Sequence, residues 1–307
     1  MAYKRFHPTR NRHYCRLRDE SQRRRGGPRR KYRKKRPTYR KKGAMSKKRI
    51  LNITSRKKRD TMLPWSNVTA SSQSGSTIYN PYAAQLIGGT SVVPMFIWSP
   101  TARDLNKNSG AGSVIDMASR SASLCYMRGI KESVEIQVVN GLPWQWRRII
   151  FTAKGIQDLI PNTPSFQPYH ETSYGMMRSL NQPPTATRNN IETLIFKGAA
   201  NTDWNDVIVA PLDRSRVTVR YDKVITLASG NDDGVMRRYN RWHPFNKNLR
   251  YDDDEAGDSM ATNNWSVTGK EGMGDVYIVD YFRPRVGSTA DDILYFGPNA
   301  TLYWHER

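Results

Sequence analysis

Apolar and polar residues alternate through residues 124–140, LCYMRGIKESVEIQVVN. Tyr126, Ile130, Val134, Ile136 and Val138 fall on even positions, with Lys131, Ser133, Glu135 and Gln137 opposite. A period of two predicts a long strand with one buried face. Asn140 and Gly141 break the pattern, and LPWQWRRIIFTA (142–153) follows, rich in Trp, Ile and Phe. This predicts a second strand, antiparallel to the first, across a loop that Pro143 makes longer than a two-residue turn. The same reading predicts strands at 92–98, 191–196, 216–227, within 236–250, and at 275–282, 293–296 and 301–304. Helical periodicity is weak and predicts only short helices at 82–87 and 204–209.

The connections between these segments, such as TARDLNKNSGAGS (101–113) and PNTPSFQPYHETSYG (161–175), are long for simple hairpins. About eight strands joined by long loops predict an all-β sandwich of Greek-key type. No internal repeat is visible. All eight Trp lie beyond residue 60, where they fit a core or a subunit interface better than a ligand site.

Charge divides the chain differently. Residues 1–60 carry 26 Lys or Arg against three acids, whereas residues 61–307 carry 24 of each sign. The formal charge of +23 therefore belongs to the first fifth of the sequence. Its densest part, RRRGGPRRKYRKKRPTYRKK (23–42), has thirteen Lys or Arg and no acid. With so little apolar surface to bury, such a segment cannot offset the entropy of ordering, and Gly26, Gly27, Pro28 and Pro37 interrupt any helix. Residues 1–59 are thus expected to form a disordered basic arm and residues 60–307 the folded domain.

Runs of like charge mark interaction tails. Membrane tethering needs an apolar face or a lipid site, and residues 1–60 supply neither. Nucleic acid fits best, because each neutralised phosphate releases a counterion and Arg grips phosphate through two donors. The candidate DNA-binding residues are Arg23, Arg24, Arg25, Arg29, Arg30, Lys31, Arg33, Lys34, Lys35, Arg36, Arg40, Lys41 and Lys42, with Tyr32 and Tyr39 able to stack on unpaired bases. Three clusters also suit a host importin: Lys34-Lys35-Arg36, Lys47-Lys48-Arg49 and Arg56-Lys57-Lys58-Arg59. Phosphate binding alone accounts for the same residues.

Catalytic and cofactor chemistry finds little support. No phosphate-binding Gly-rich loop is present, and His7, His13, His170, His243 and His305 form no metal-binding pair. His243 is expected to be a packed or hydrogen-bonding strand residue. Cys15 and Cys125 are too few for a disulfide framework or a thiolate zinc site. The acidic run YDDDEAGD (251–258) admits three readings: a solvated loop, a salt-bridge site facing a neighbouring subunit, or, more weakly, a hard cation held by Asp252, Asp253, Asp254 and Glu255. The chain is therefore expected to be neither an enzyme nor a cofactor protein. No signal peptide or membrane-spanning run is visible.

CYMRGIKESVEIQ (125–137) with GLPWQWRRIIF (141–151) resembles the signature region of genomovirus capsid proteins, the gemycircularvirus-like group of circular single-stranded DNA viruses that includes fungal viruses. WHPFNKNLRYDDDEAG (242–257) and DILYFGPNATLYWHER (292–307) resemble that family too. The resemblance implies an eight-stranded jelly roll and a T=1 shell of sixty copies around circular single-stranded DNA. It also implies residence in the virion, and in the host nucleus during assembly. Sixty arms of net +24 would supply about 1,440 charges to genome phosphates. Two other classes compete. A cellular basic nucleic-acid-binding protein, ribosomal or chromatin-like, would also pair a basic tail with a folded domain; a DNA-nicking enzyme would need metal-binding His, which the sequence lacks.

Overall fold

The computed structural model describes residues 45–107 and 110–306. Eight strands build two antiparallel sheets: β1 (Arg56–Met62), β2 (Met95–Trp98), β3 (Leu124–Val138), β4 (Trp144–Ala153), β5 (Thr218–Leu227), β6 (Val235–Arg250), β7 (Asp275–Pro284) and β8 (Ile293–Glu306). The first sheet runs β1-β8-β3-β6, with the short strand Ala84–Ile87 paired to β8 as a fifth member, and the second runs β5-β4-β7-β2. Chain order 1-8-3-6 facing 5-4-7-2 is the connectivity of a jelly roll, in which the chain crosses between sheets at almost every connection. Two helices, α1 (Lys47–Thr54) and α2 (Thr185–Ile195), and several short strands occupy the ends and loops.

This crossing corrects the expected hairpin. β3 and β4 do not pair with each other: β3 lies between β8 and β6, and β4 between β5 and β7. Gly141 carries the chain from one sheet to the other, and a Cβ there would meet Asn231 and Asp232 of the neighbouring loop at about 3.0–3.1 Å. Local alternation reveals a strand; it does not reveal which strand lies beside it.

The two sheets differ in what covers them. β4 and β7 are buried along almost their whole length, because α2 and the segments around Ile156–Ile160 and Phe196–Val217 pack on the far face of the second sheet. Residues on both faces therefore read as one continuous apolar run. The helix α2 was expected as a strand at 191–196. Its buried residues Thr187, Ile191, Glu192 and Ile195 recur at helical spacing, Arg188 pairs with Glu192 one turn on at 2.9 Å, and the isolated apolar run gives no sign of period. Of the two expected helices, 84–87 is a strand paired to β8 and 204–209 is a series of turns.

The predicted pieces 293–296 and 301–304 are one strand. Pro298 sits between the stretch of β8 paired with Ala84–Ile87 and the stretch paired with β1, so its missing N–H faces an edge with no partner there. In β3 the register shifts beside Arg128, and this bulge turns Tyr126 outward, against the strict even-residue reading.

Candidate functional site

Residues 23–42, with every candidate DNA-binding residue and the Lys34-Lys35-Arg36 cluster, lie outside the described residues. The described structure does show how the basic segment is joined to the sandwich. The compact unit begins at Ser46 rather than at residue 60. Ser46 caps α1 by accepting from the Arg49 amide at 3.3 Å, and Lys47, Lys48 and Arg49 fill its first turn. Lys47 and Arg49 bring positive charge to the positive end of the helix dipole, the reverse of the favoured arrangement.

The Arg56–Arg59 cluster is divided by the pleat of β1. Arg56, Lys57 and Arg59 are exposed, but Lys58 is buried: its ammonium lies 3.1 Å from Glu306 Oε2 and donates to Ser119 O and Ser121 Oγ. Lys58 is thus a root of the fold and not part of a surface available to an importin. Two residues on, buried Asp60 accepts from Arg103 Nη1 at 2.7 Å. Glu306 also accepts from Trp304 Nε1 and Ser121, and although burial opposes its charge, these donors hold its carboxyl below the usual range. β1 is therefore fastened to the end of β8 by ionic contacts inside the sandwich. Sequence counting placed the boundary too late because Lys58 counts as arm charge while acting as core.

The acidic run is not a single cluster. Tyr251 is buried with its hydroxyl donating to Thr101 O at 2.8 Å, and Asp253 is taken by the buried guanidinium of Arg120, which also lies 3.9 Å over the Tyr251 ring. Asp252 is exposed, and Asp254 and Glu255 lie on an exposed hairpin with Ser259–Ala261. No group of three or more His, Cys, Asp or Glu among the described residues is placed to hold a metal ion. Cys125 is buried and its thiol is pushed up by burial, leaving it unreactive.

Sequence reasoning missed the most concentrated charge in the fold. Glu132 of β3, Arg148 of β4, Asp280 of β7 and Arg178 of the short strand Gly175–Leu180 are fully buried between the sheets. Arg148 reaches Glu132 at 2.6 Å and Asp280 at 2.7 Å, and Arg178 reaches Asp280 at 3.0 Å and Glu132 at 3.4 Å. Trp146 Nε1 donates to Asp280, and Arg178 lies 4.3 Å over Trp98. Burial opposes the charge of both Arg148 and Asp280, but their partners prevail, raising the first pKa and lowering the second. The four charges cancel, and the layer separates two apolar clusters of the inter-sheet core. His243 borders the layer, and burial pushes its pKa down to about 4. The signal was present: Glu132 stands at an even, inward position of β3, and Arg147-Arg148 and Asp280 interrupt apolar runs. This closed and balanced layer offers no group to a substrate.

No family model matches the sequence, and no curated protein matches it. Among solved structures, the unassembled pentamer of KI polyomavirus VP1 aligns at 10% identity over 86% of this chain and 96% of that one, with a TM-score of 0.18. At that score the likeness carries no argument, and the jelly roll stands on the strand order itself. No helix among the described residues is long and apolar enough to cross a membrane.

Proposed function

We propose that this chain is the capsid protein of a circular single-stranded DNA virus, assembling sixty copies into a T=1 shell and packaging its genome through the Lys/Arg-rich N-terminal segment. The observation that carries this reading is the segregation of charge onto a segment that precedes a jelly roll. The sandwich supplies a rigid unit for symmetric contacts. The basic segment supplies phosphate binding that reads no sequence, since contacts to the backbone phosphates carry no base information. The anchoring of β1 supports the division of labour, because a packaging segment must stay attached to the shell while its charges follow the DNA.

The boundary at Ser46 refines the charge estimate. Residues 1–45 carry nineteen Lys or Arg and two acids, leaving a net of +6 on residues 46–307. Sixty segments of +17 would supply about 1,000 charges to genome phosphates. The partners in this reading are other copies of the chain, genomic single-stranded DNA, and an importin for entry into the host nucleus before residence in the virion.

Deletion of residues 1–45 tests the packaging half. Shells of the shortened protein are expected to protect far less DNA from nuclease than wild-type shells. Wild-type DNA content in those shells would overturn the role given to the segment.

A further inference from the structure

The far face of the second sheet is covered over β4 and β7, but the solvent face of the first sheet is bare, and its composition is one-sided. Lys57 and Arg59 of β1, Arg128 and Lys131 of β3 and Arg238 of β6 point outward, against Glu135 as the one outward-facing acid on these three strands. None of these five cations forms an ion pair among the described residues. Glu135 is engaged by Gln137, while Arg238 donates to Ser133 and Arg128 to Asn246.

Four aromatic rings stand among these cations. Trp242 is 48% exposed and packs edge-on against Tyr303 at 5.7 Å. The ring lies directly across Gly129, where a Cβ would come within 2.8 Å of it, so glycine makes the seat for the indole. Tyr126 and His305 form a second pair at 6.0 Å, and Ser55, which leads into β1, lies 3.4 Å from His305 Nδ1. Burial lowers the His305 pKa, and Arg128 and Lys57 lower it further, which favours the uncharged ring. β1, the strand through which the basic segment joins the sandwich, is itself the edge of this face.

We propose that the solvent face of the first sheet binds single-stranded DNA, stacking unpaired bases on Trp242 and Tyr303 while Lys57, Arg59, Arg128, Lys131 and Arg238 take the phosphates. The proposal deepens the packaging reading and rests on its assignment of nucleic acid as the partner. Unpaired phosphate-seeking cations interleaved with rigid, exposed rings are the composition of a stacking platform. A duplex offers its phosphates but no base faces, so the rings select single strands. A second copy meeting this face isologously would set the same cations against one another.

The test uses the full-length protein and a twenty-residue oligothymidylate carrying photoreactive 4-thiothymidine, at a salt concentration high enough to screen most of the contribution of the basic segment. Cross-links are expected in the peptides holding Trp242 and Tyr303. Trp242→Ala with Tyr303→Ala is expected to weaken binding about tenfold without changing the salt slope. Lys131→Gln with Arg238→Gln, both at the surface, is expected to flatten that slope instead. Cross-links confined to residues 1–45, or aromatic variants that bind as tightly as wild type, would overturn the proposal. So would aromatic variants that bind normally but no longer assemble, since the face would then be a contact between copies. Failure of the packaging reading itself would show separately, as wild-type DNA content in shells of the protein lacking residues 1–45.

Discussion

At the scale of single residues, the fold depends on charges that its interior has to neutralise. Removing one member of the buried layer leaves its partners unbalanced in a site without water, so Asp280→Asn is expected to lower stability by about 3–5 kcal/mol in urea denaturation, with Arg148 and Arg178 left short of a carboxylate. A loss under 1 kcal/mol would show the layer to be dispensable. Two other buried groups set opposed pH dependences. His243 is pushed down to about 4 by burial, so between about 6.5 and 4 the unfolded chain binds a proton that the folded one refuses, and stability is lost as pH falls. Asp275, also buried, is pushed up to about 6 despite hydrogen bonds from Ser266 and Thr101, so stability is gained as pH falls through 6. The two nearly cancel in the wild type. Asp275→Asn is expected to unmask the loss, roughly 3 kcal/mol between pH 7 and pH 4 relative to wild type, and His243→Gln to unmask the gain. Denaturation profiles of the two variants that run parallel to wild type across that range would contradict both assignments.

At the scale of elements, alternation made β3 legible, because its period-two run records which face meets the core, while continuous apolar content made β4 and β7 legible. Partnership was not legible, since pairing depends on residues far away in sequence; β3 and β4 look like a hairpin and belong to opposite sheets. The outward turn of Tyr126 was hidden for a related reason, as a bulge at Arg128 reverses a parity that sequence alone assumes to persist. Charge counting set the boundary of the basic segment at residue 59, because Lys58 and its neighbours look like the rest of the run; the structure makes Lys58 a core residue by giving it Glu306. This difference is testable. Deleting residues 1–45 is expected to leave the thermal melting of the sandwich within a few degrees of wild type, whereas deleting residues 1–62 removes β1, strands buried Glu306 and uncovers Trp304, and is expected to abolish cooperative melting. Equal melting of the two truncations would contradict the role given to β1. On the bare face, the cations and rings were visible as letters; only the pairing of β1, β8, β3 and β6 brings them together.

At the scale of the whole molecule, the proposed function divides the work, with the sandwich closing the shell and the basic segment binding the genome. The inner strands of the second sheet are buried on both faces, the first sheet is open on one, and a segment of net +17 precedes the sandwich in sequence. Binding of full-length protein to single-stranded DNA is expected to weaken steeply with salt and to be indifferent to base order; a strong sequence preference measured in competition would contradict a phosphate-led mechanism. The same plan in a cellular nucleic-acid-binding protein would coat its target without closing. Electron microscopy of the purified full-length protein separates the two most directly. The capsid reading predicts closed particles about 200 Å across built from sixty copies, and a preparation that holds only monomers, small oligomers or open filaments under assembly conditions with single-stranded DNA present would contradict it.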